Sequence, residues 1–171
     1  SFTGASGAEL RLANGASNSI LFSPVGAVTV NGGKLSVNGT AGTSAFVPAA
    51  SSTWTFGGSA LSTVSGNVQL DNTGVTFAVN DAVSGSGVDA VVSGLISGAN
   101  GLTKSGAGTL QLSSANTFAG PLTISAGSVL FNSSTDTGLV GGLSGSGSIA
   151  VSGTGLVTLS GSSSGYTGTV T

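Results

Sequence analysis

The chain of 171 residues contains no cysteine, no histidine and no methionine, and only 5% of its residues are charged. Each shortage excludes something. Without cysteine there are no disulfides and no thiolate metal sites. Without histidine the usual general base near neutral pH and the commonest metal ligand are both missing. Without methionine Ser1 is not a translation start, which predicts a processed product or a piece of a larger polypeptide. The net charge is −2, too small and too scattered to attract nucleic acid or an anionic membrane. No apolar run approaches the ~18 residues of a membrane-spanning helix, so neither nucleic acid nor membrane insertion is expected.

What the chain does have is 31 glycines, a mean hydropathy of +0.46 and much serine, threonine and alanine. Low charge with that hydropathy argues against ordinary disorder. Apolar residues alternate at period two in short runs, among them Leu10/Leu12, Val28/Val30, Leu35/Val37, Val75/Phe77/Val79, Leu110/Leu112, Leu122/Ile124 and Val129/Phe131. Runs of this kind, closed by Gly, Asn or Ser, read as half-buried strands. A helical stripe is hard to find. The chain reads as all-β.

Four Asn-Gly steps, at Asn14, Asn31, Asn38 and Asn100, raise the competing reading of hairpins in a sandwich or barrel. Repetition decides against it. "GAGTLQLSSANTFAGPLTI" from Gly106 aligns with "GTGLVTLSGSSSGYTGTVT" from Gly153, pairing Leu112 with Leu159 and Gly120 with Gly168. That offset of 47 to 48 residues divides into two solenoid turns of roughly 20–25 residues each. The expected architecture is a right-handed parallel β-helix (β-solenoid): coils stacked at ~4.8 Å, apolar side chains inside, hydroxyls and charges outside. Glycines and Asn-Gly steps supply the corners, and Pro24 and Pro121 precede strands. The whole of residues 1–171 is expected to be one array, clearest over 75–171 and degenerate over 1–74.

The stretch "GLTKSGAGTLQLSSANTFAGPLTISAGSVLF" (Gly101–Phe131) closely resembles the autotransporter-associated β-strand repeat of bacterial autotransporter passengers. "VTFAVNDAVSGSGVDAVVSGLISGAN" (Val75–Asn100) resembles its usual lead-in, and "SGSGSIAVSGTGLVTLSGSSSGYTG" (Ser144–Gly168) a more degenerate copy. The resemblance implies a secreted β-helix at the bacterial surface, in which the repeat is scaffold. The family's membrane barrel has no counterpart here, since nine aromatics cannot supply aromatic girdles.

Chemical motifs carry little. Gly161-Ser162-Ser163-Ser164-Gly165 matches a nucleophile elbow but has no histidine to serve as base. Gly145–Ala150 matches a loose dinucleotide pattern but precedes a strand, so no helix N-terminus meets a pyrophosphate. "SGSGVDAVV" (Ser84–Val92) is a single approximation to a calcium-roll nonapeptide, which works only in consecutive copies. Asp81 and Asp89 therefore read as solvated turn carboxylates, Lys104 as a solvated side chain, and Glu9 and Arg11 as an exposed pair. No catalytic residue, cofactor or metal is expected. Trp54 and Phe56 in "STWTFGG" share a strand face: they fill the core, or Trp54 offers a glycan contact. Thr53-x-Thr55 and Thr169-x-Thr171 resemble ice-binding arrays, but two isolated copies make no flat ladder.

The ends show no polar cap, and a β-helix without caps presents unpaired strand edges. An end-stacking interface of Phe2, Leu10 and Leu12 against Tyr166 and Val170 is expected, giving a head-to-tail homopolymer. The leading expectation is a non-catalytic extracellular structural protein forming a fibre, filament or adhesive stalk. The alternative is a binding module recognising a glycan or host surface.

Overall fold

The computed structural model describes residues 2–4, 7–13, 21–38, 44–82 and 87–171. None of these is helical. The chain winds through short strands, up to three per coil. The first coil holds β1 (Phe2–Gly4), β2 (Glu9–Ala13) and β3 (Leu21–Val25), and the second β4 (Val28–Asn31), β5 (Lys34–Asn38) and β6 (Ala45–Pro48). Then come β7 (Thr53–Gly57), β8 (Ser62–Val64) and β9 (Asn67–Gln69), followed by β10 (Thr76–Val79), β11 (Ala90–Val92) and β12 (Ile96–Ser97). The fifth coil has two strands, β13 (Leu102–Ser105) and β14 (Thr109–Leu112). The sixth has β15 (Leu122–Ile124), β16 (Ser128–Phe131) and β17 (Thr137–Leu139). The last strands are β18 (Leu143–Gly145), β19 (Ser148–Val151), β20 (Val157–Leu159) and β21 (Gly165–Tyr166).

Corresponding strands of successive coils pair, and every pairing is parallel. The first sheet runs β1-β4-β7-β10-β13-β15-β18-β21 and the second β2-β5-β8-β11-β14-β16-β19. A third, β3-β6-β9-β12, stops at the fourth coil, and β17-β20 form a short fourth sheet. Parallel pairing throughout means β-solenoid, and it removes the hairpin reading of the Asn-Gly steps. Two of these steps, at Asn14 and Asn38, reach outside the described residues. Asn31 leads into Gly32, whose φ of +68° turns the corner.

The core is a set of files, one residue per coil. The alternating inward residues Val30, Phe56, Phe77, Val79, Leu110, Leu112, Leu122, Ile124 and Val129 are all buried. In the upstream half the files are aromatic: Trp54 lies nearly parallel on Phe77 with ring centroids 5.6 Å apart. Phe46 meets Trp54 edge-on at 5.9 Å, and Phe56 meets Phe77 edge-on at 5.4 Å. Coil length varies along the chain. Phe2 pairs with Val28 and Val28 with Trp54, steps of 26 residues. Trp54 pairs with Phe77, a step of 23, and Phe77 with Lys104, a step of 27. Leu102 pairs with Leu122, a step of 20.

Three details differ from the expectations above. Leu112 and Leu159 do not occupy equivalent coils, because they lie on different sheets. In the structure Thr109 pairs with Ser128 and Ser128 with Ser148, so the counterpart of "TLQL" is "SIAV". In a Gly/Ser-rich background the similar corners align at a false offset, while register obeys the inward side chains. Pro24 lies within β3 rather than before it, where register shifts between Phe22 and Val25. That irregularity accommodates a residue with no N–H to give the ladder. Third, the two acidic and basic side chains most simply read as solvated, Asp89 and Lys104, are buried.

Candidate interaction surfaces

Lys104 occupies an inward position of β13, between Phe77 of β10 and Ile124 of β15 in the same file. The alternation that buries Leu102 necessarily buries the residue two positions on. Its ammonium is held by three backbone carbonyls: Ser105 at 3.0 Å, Gly106 at 2.8 Å and Ala126 at 3.0 Å. Burial lowers its pKa from the ordinary lysine value to about 8, opposed by the Asp89 carboxylate, which favours the charged form. Asp89 accepts the Ala82 N–H and the Thr109 N–H, both at 2.8 Å. The carboxylate and ammonium thus clamp the corner "SGAG" (Ser105–Gly108) from two sides. Asp81, by contrast, is exposed.

Gly106 and Gly108 are what let this corner approach so closely. Gly106 has φ +79°, and a Cβ there would press on the Val79 carbonyl. A Cβ at Gly108 would sit 2.8 Å from the Asp89 carboxylate. Gly106→Ala is expected to destabilise the fold by about 2 kcal/mol through the left-handed backbone alone. A urea denaturation series checks it, and an unchanged midpoint would contradict the close packing of this corner.

Trp54 is fully buried, stacked against Phe77 as described. Its face is not available to a sugar, which corrects its role as a glycan contact: the inward parity of β7 puts it in the core. The elbow-like serines serve turns. Ser163 Oγ accepts the Leu143 N–H at 3.1 Å, and Ser162 lies 3.4 Å from Ser164. Glu9 pairs with Lys34 on the next coil at 3.6 Å and accepts a 2.7 Å hydrogen bond from Ser36, which leads the causes lowering its pKa. Among the described residues no cluster of three potential metal ligands exists.

Two surfaces remain. One is the C-terminal end. Val170 sits above Ile149, Leu159 above Leu139 and Val151 above Phe131 in the core files. The lower member of each pair is buried, whereas Val170 is 61% exposed, Leu159 42% and Val151 40%. Tyr166 is half-buried, its hydroxyl 2.8 Å from the carbonyls of Gly147 and Thr169. At the other end Leu10 is half-buried against the core. The side chains of Phe2 and Leu12 lie outside what the structure describes, although the backbone of Phe2 heads the file that ends at Tyr166.

The other is the outer face of the first sheet. Register brings Thr53, Thr76, Thr103, Thr123 and Ser144 into one outward file. Two residues along, Thr29, Thr55, Ala78 and Ser105 form a second. Thr53-x-Thr55 is therefore not an isolated copy. Coils of unequal length hide the files from any fixed sequence period. Thr169-x-Thr171 lies elsewhere, bridging Ile149 of the second sheet.

Residues 102–130 match the family model described as the passenger-associated-transport-repeat. The matched segment runs from the start of β13 into β16, including Lys104 and the two corner glycines. The chain thus carries a repeat of the kind found in autotransporter passengers, wound as a β-solenoid. No curated protein and no solved structure matches the chain.

Proposed function

We propose that the chain is a non-catalytic, extracellular structural segment whose rigid coil extends by end-to-end stacking into a surface fibre or adhesive stalk. Placement outside the cell rests on the passenger repeat at 102–130. The observation that carries the reading is the parallel stacking itself, in which the inward residues of each coil seat on those of the coil before, as Val151 on Phe131, Leu159 on Leu139 and Val170 on Ile149. A further coil of the same kind would cover them, and with so little charge on the chain nothing repels one. Stacked on a second copy, the file ending at Tyr166 meets the one that begins at Phe2.

Negative-stain electron microscopy across a concentration series tests this reading. The expected result is thin unbranched fibres with an axial repeat of about 35–40 Å, eight strands at ~4.8 Å. Val170→Asp is expected to abolish them by burying a charge at the joint. Single short rods at every concentration would refute self-stacking.

A further inference from the structure

The two hydroxyl files on the first sheet make a surface with unusual regularity. Along a strand the files are two residues apart, ~6.6 Å, and successive coils repeat at ~4.8 Å. Pairing runs from β7 through β18 with no register shift, so the file from Thr53 to Ser144 is continuous over five coils, while the second file flanks it over β7, β10 and β13, with Ala78 in place of a hydroxyl. Behind it lie the stacked Trp54 and Phe77, which stiffen the backbone that carries it. Thr123 and Ser144 bond to each other at 2.8 Å along the file. The hydroxyls of Thr53, Thr76 and Thr103 make no bond to other described residues, and face solvent.

The character of this face narrows its occupant. Among the described residues it carries no charged side chain, so it offers nothing to nucleic acid, an anionic lipid or a charged peptide. It carries no aromatic ring, the usual platform for a sugar. The five strands of the longer file cover roughly 19 by 13 Å, about 250 Å². A stable protein partner takes about 800 Å² per side. What suits a small, flat, uncharged grid of hydroxyls and methyls is an ordered lattice of water. Oxygens on a prism face of hexagonal ice also lie on a rectangular net, of comparable but not identical spacing along two perpendicular directions. We propose that the outer face of the first sheet binds ice, the threonine hydroxyls anchoring a first water layer and the methyls seating between its members.

Ice-affinity partitioning of the whole chain tests this: a solution is frozen slowly onto a cold surface, and protein in ice and liquid is measured by Trp54 fluorescence. The expected result is at least a tenfold enrichment in ice over a non-binding protein of similar size. Thr103→Tyr and, independently, Thr76→Tyr are expected to fall to background with unchanged far-UV circular dichroism. Gln111→Tyr, outward on the second sheet, is expected to keep the enrichment. Exclusion of the unmodified chain from ice would overturn the proposal, and so would an equal loss in Gln111→Tyr. Two further results would reassign the face: side-by-side dimers in sedimentation that Thr103→Tyr dissolves, or retention on insoluble cellulose that Thr103→Tyr abolishes.

Discussion

Lys104→Met is expected to lower stability at pH 7 by about 3 kcal/mol and to remove a pH dependence that the unmodified chain shows above neutrality. The first effect follows from the groups left behind. Ser105, Gly106 and Ala126 lose the donor that holds their carbonyls, and Asp89 loses the charge that faces it. A buried acceptor without a partner costs about 1–3 kcal/mol, and the buried Asp89 carboxylate loses a favourable charge in its surroundings. The saved cost of burying an ammonium offsets part of this.

The second effect follows from linkage. The pKa of Lys104 in the folded chain is about 8, below the ~10.4 of an unfolded lysine. Between those values the unfolded chain still holds a proton that the folded chain has released, so stability rises with pH. From pH 7 to pH 9.5 the gain is on the order of 2 kcal/mol. Above pH 10 Tyr166 works the other way. Burial raises its pKa, so the folded chain keeps a proton that the unfolded chain has lost. Urea denaturation at pH 7, 8.5 and 9.5 separates the two, because only the rise belongs to Lys104. A rise of equal size in Lys104→Met would show that the buried ammonium is not its source.

Lys104 also shows where sequence reasoning succeeds and stops. Alternation places strands at Leu10/Leu12, Val75/Phe77/Val79 and Leu122/Ile124, and strands are there. It works because a parallel coil must bury every second residue. The same rule, applied to Leu102, points inward at position 104, but the residue type reads as solvated. What decides is the ring of corner carbonyls, supplied partly by Ala126, 22 residues away. Asp89 is similar: its partner N–H groups come from Ala82 and Thr109, and no local pattern announces them.

Register is harder still. A step of 26 residues upstream and 20 downstream breaks any single period. The sequence comparison therefore pairs Leu112 with Leu159 when the coils pair Leu112 with Phe131. The hydroxyl files are hidden for the same reason. Each is composed of residues of the commonest types in the chain, and only the coil-to-coil pairing makes a row of them. The buried rungs, being chemically distinctive, were legible; the outer rows were not.

Phe77→Ala is expected to be among the most damaging single truncations, at about 3–5 kcal/mol. Phe77 is fully buried, lies on Trp54 at 5.6 Å and meets Phe56 edge-on at 5.4 Å. On its other side in the file is Lys104. Removing the ring opens a void between an indole whose N–H has no partner among the described residues and an ammonium that water would solvate. A wetted cavity there would weaken the dry environment that depresses the Lys104 pKa. Phe77→Leu, which keeps most of the volume, is expected to cost about 1–1.5 kcal/mol.

The location matters as much as the size. In a solenoid each coil touches only its neighbours, so cooperativity passes through every rung. A broken rung in the fourth coil is expected to uncouple the upstream coils, with Trp54 and Phe56, from the downstream ones. Trp54 fluorescence, which reports the upstream coils, would then precede the circular dichroism change in urea, whereas both coincide in the unmodified chain. Coincident transitions with a loss under 1 kcal/mol would mean that the aromatic stack is not what joins the two halves of the rod.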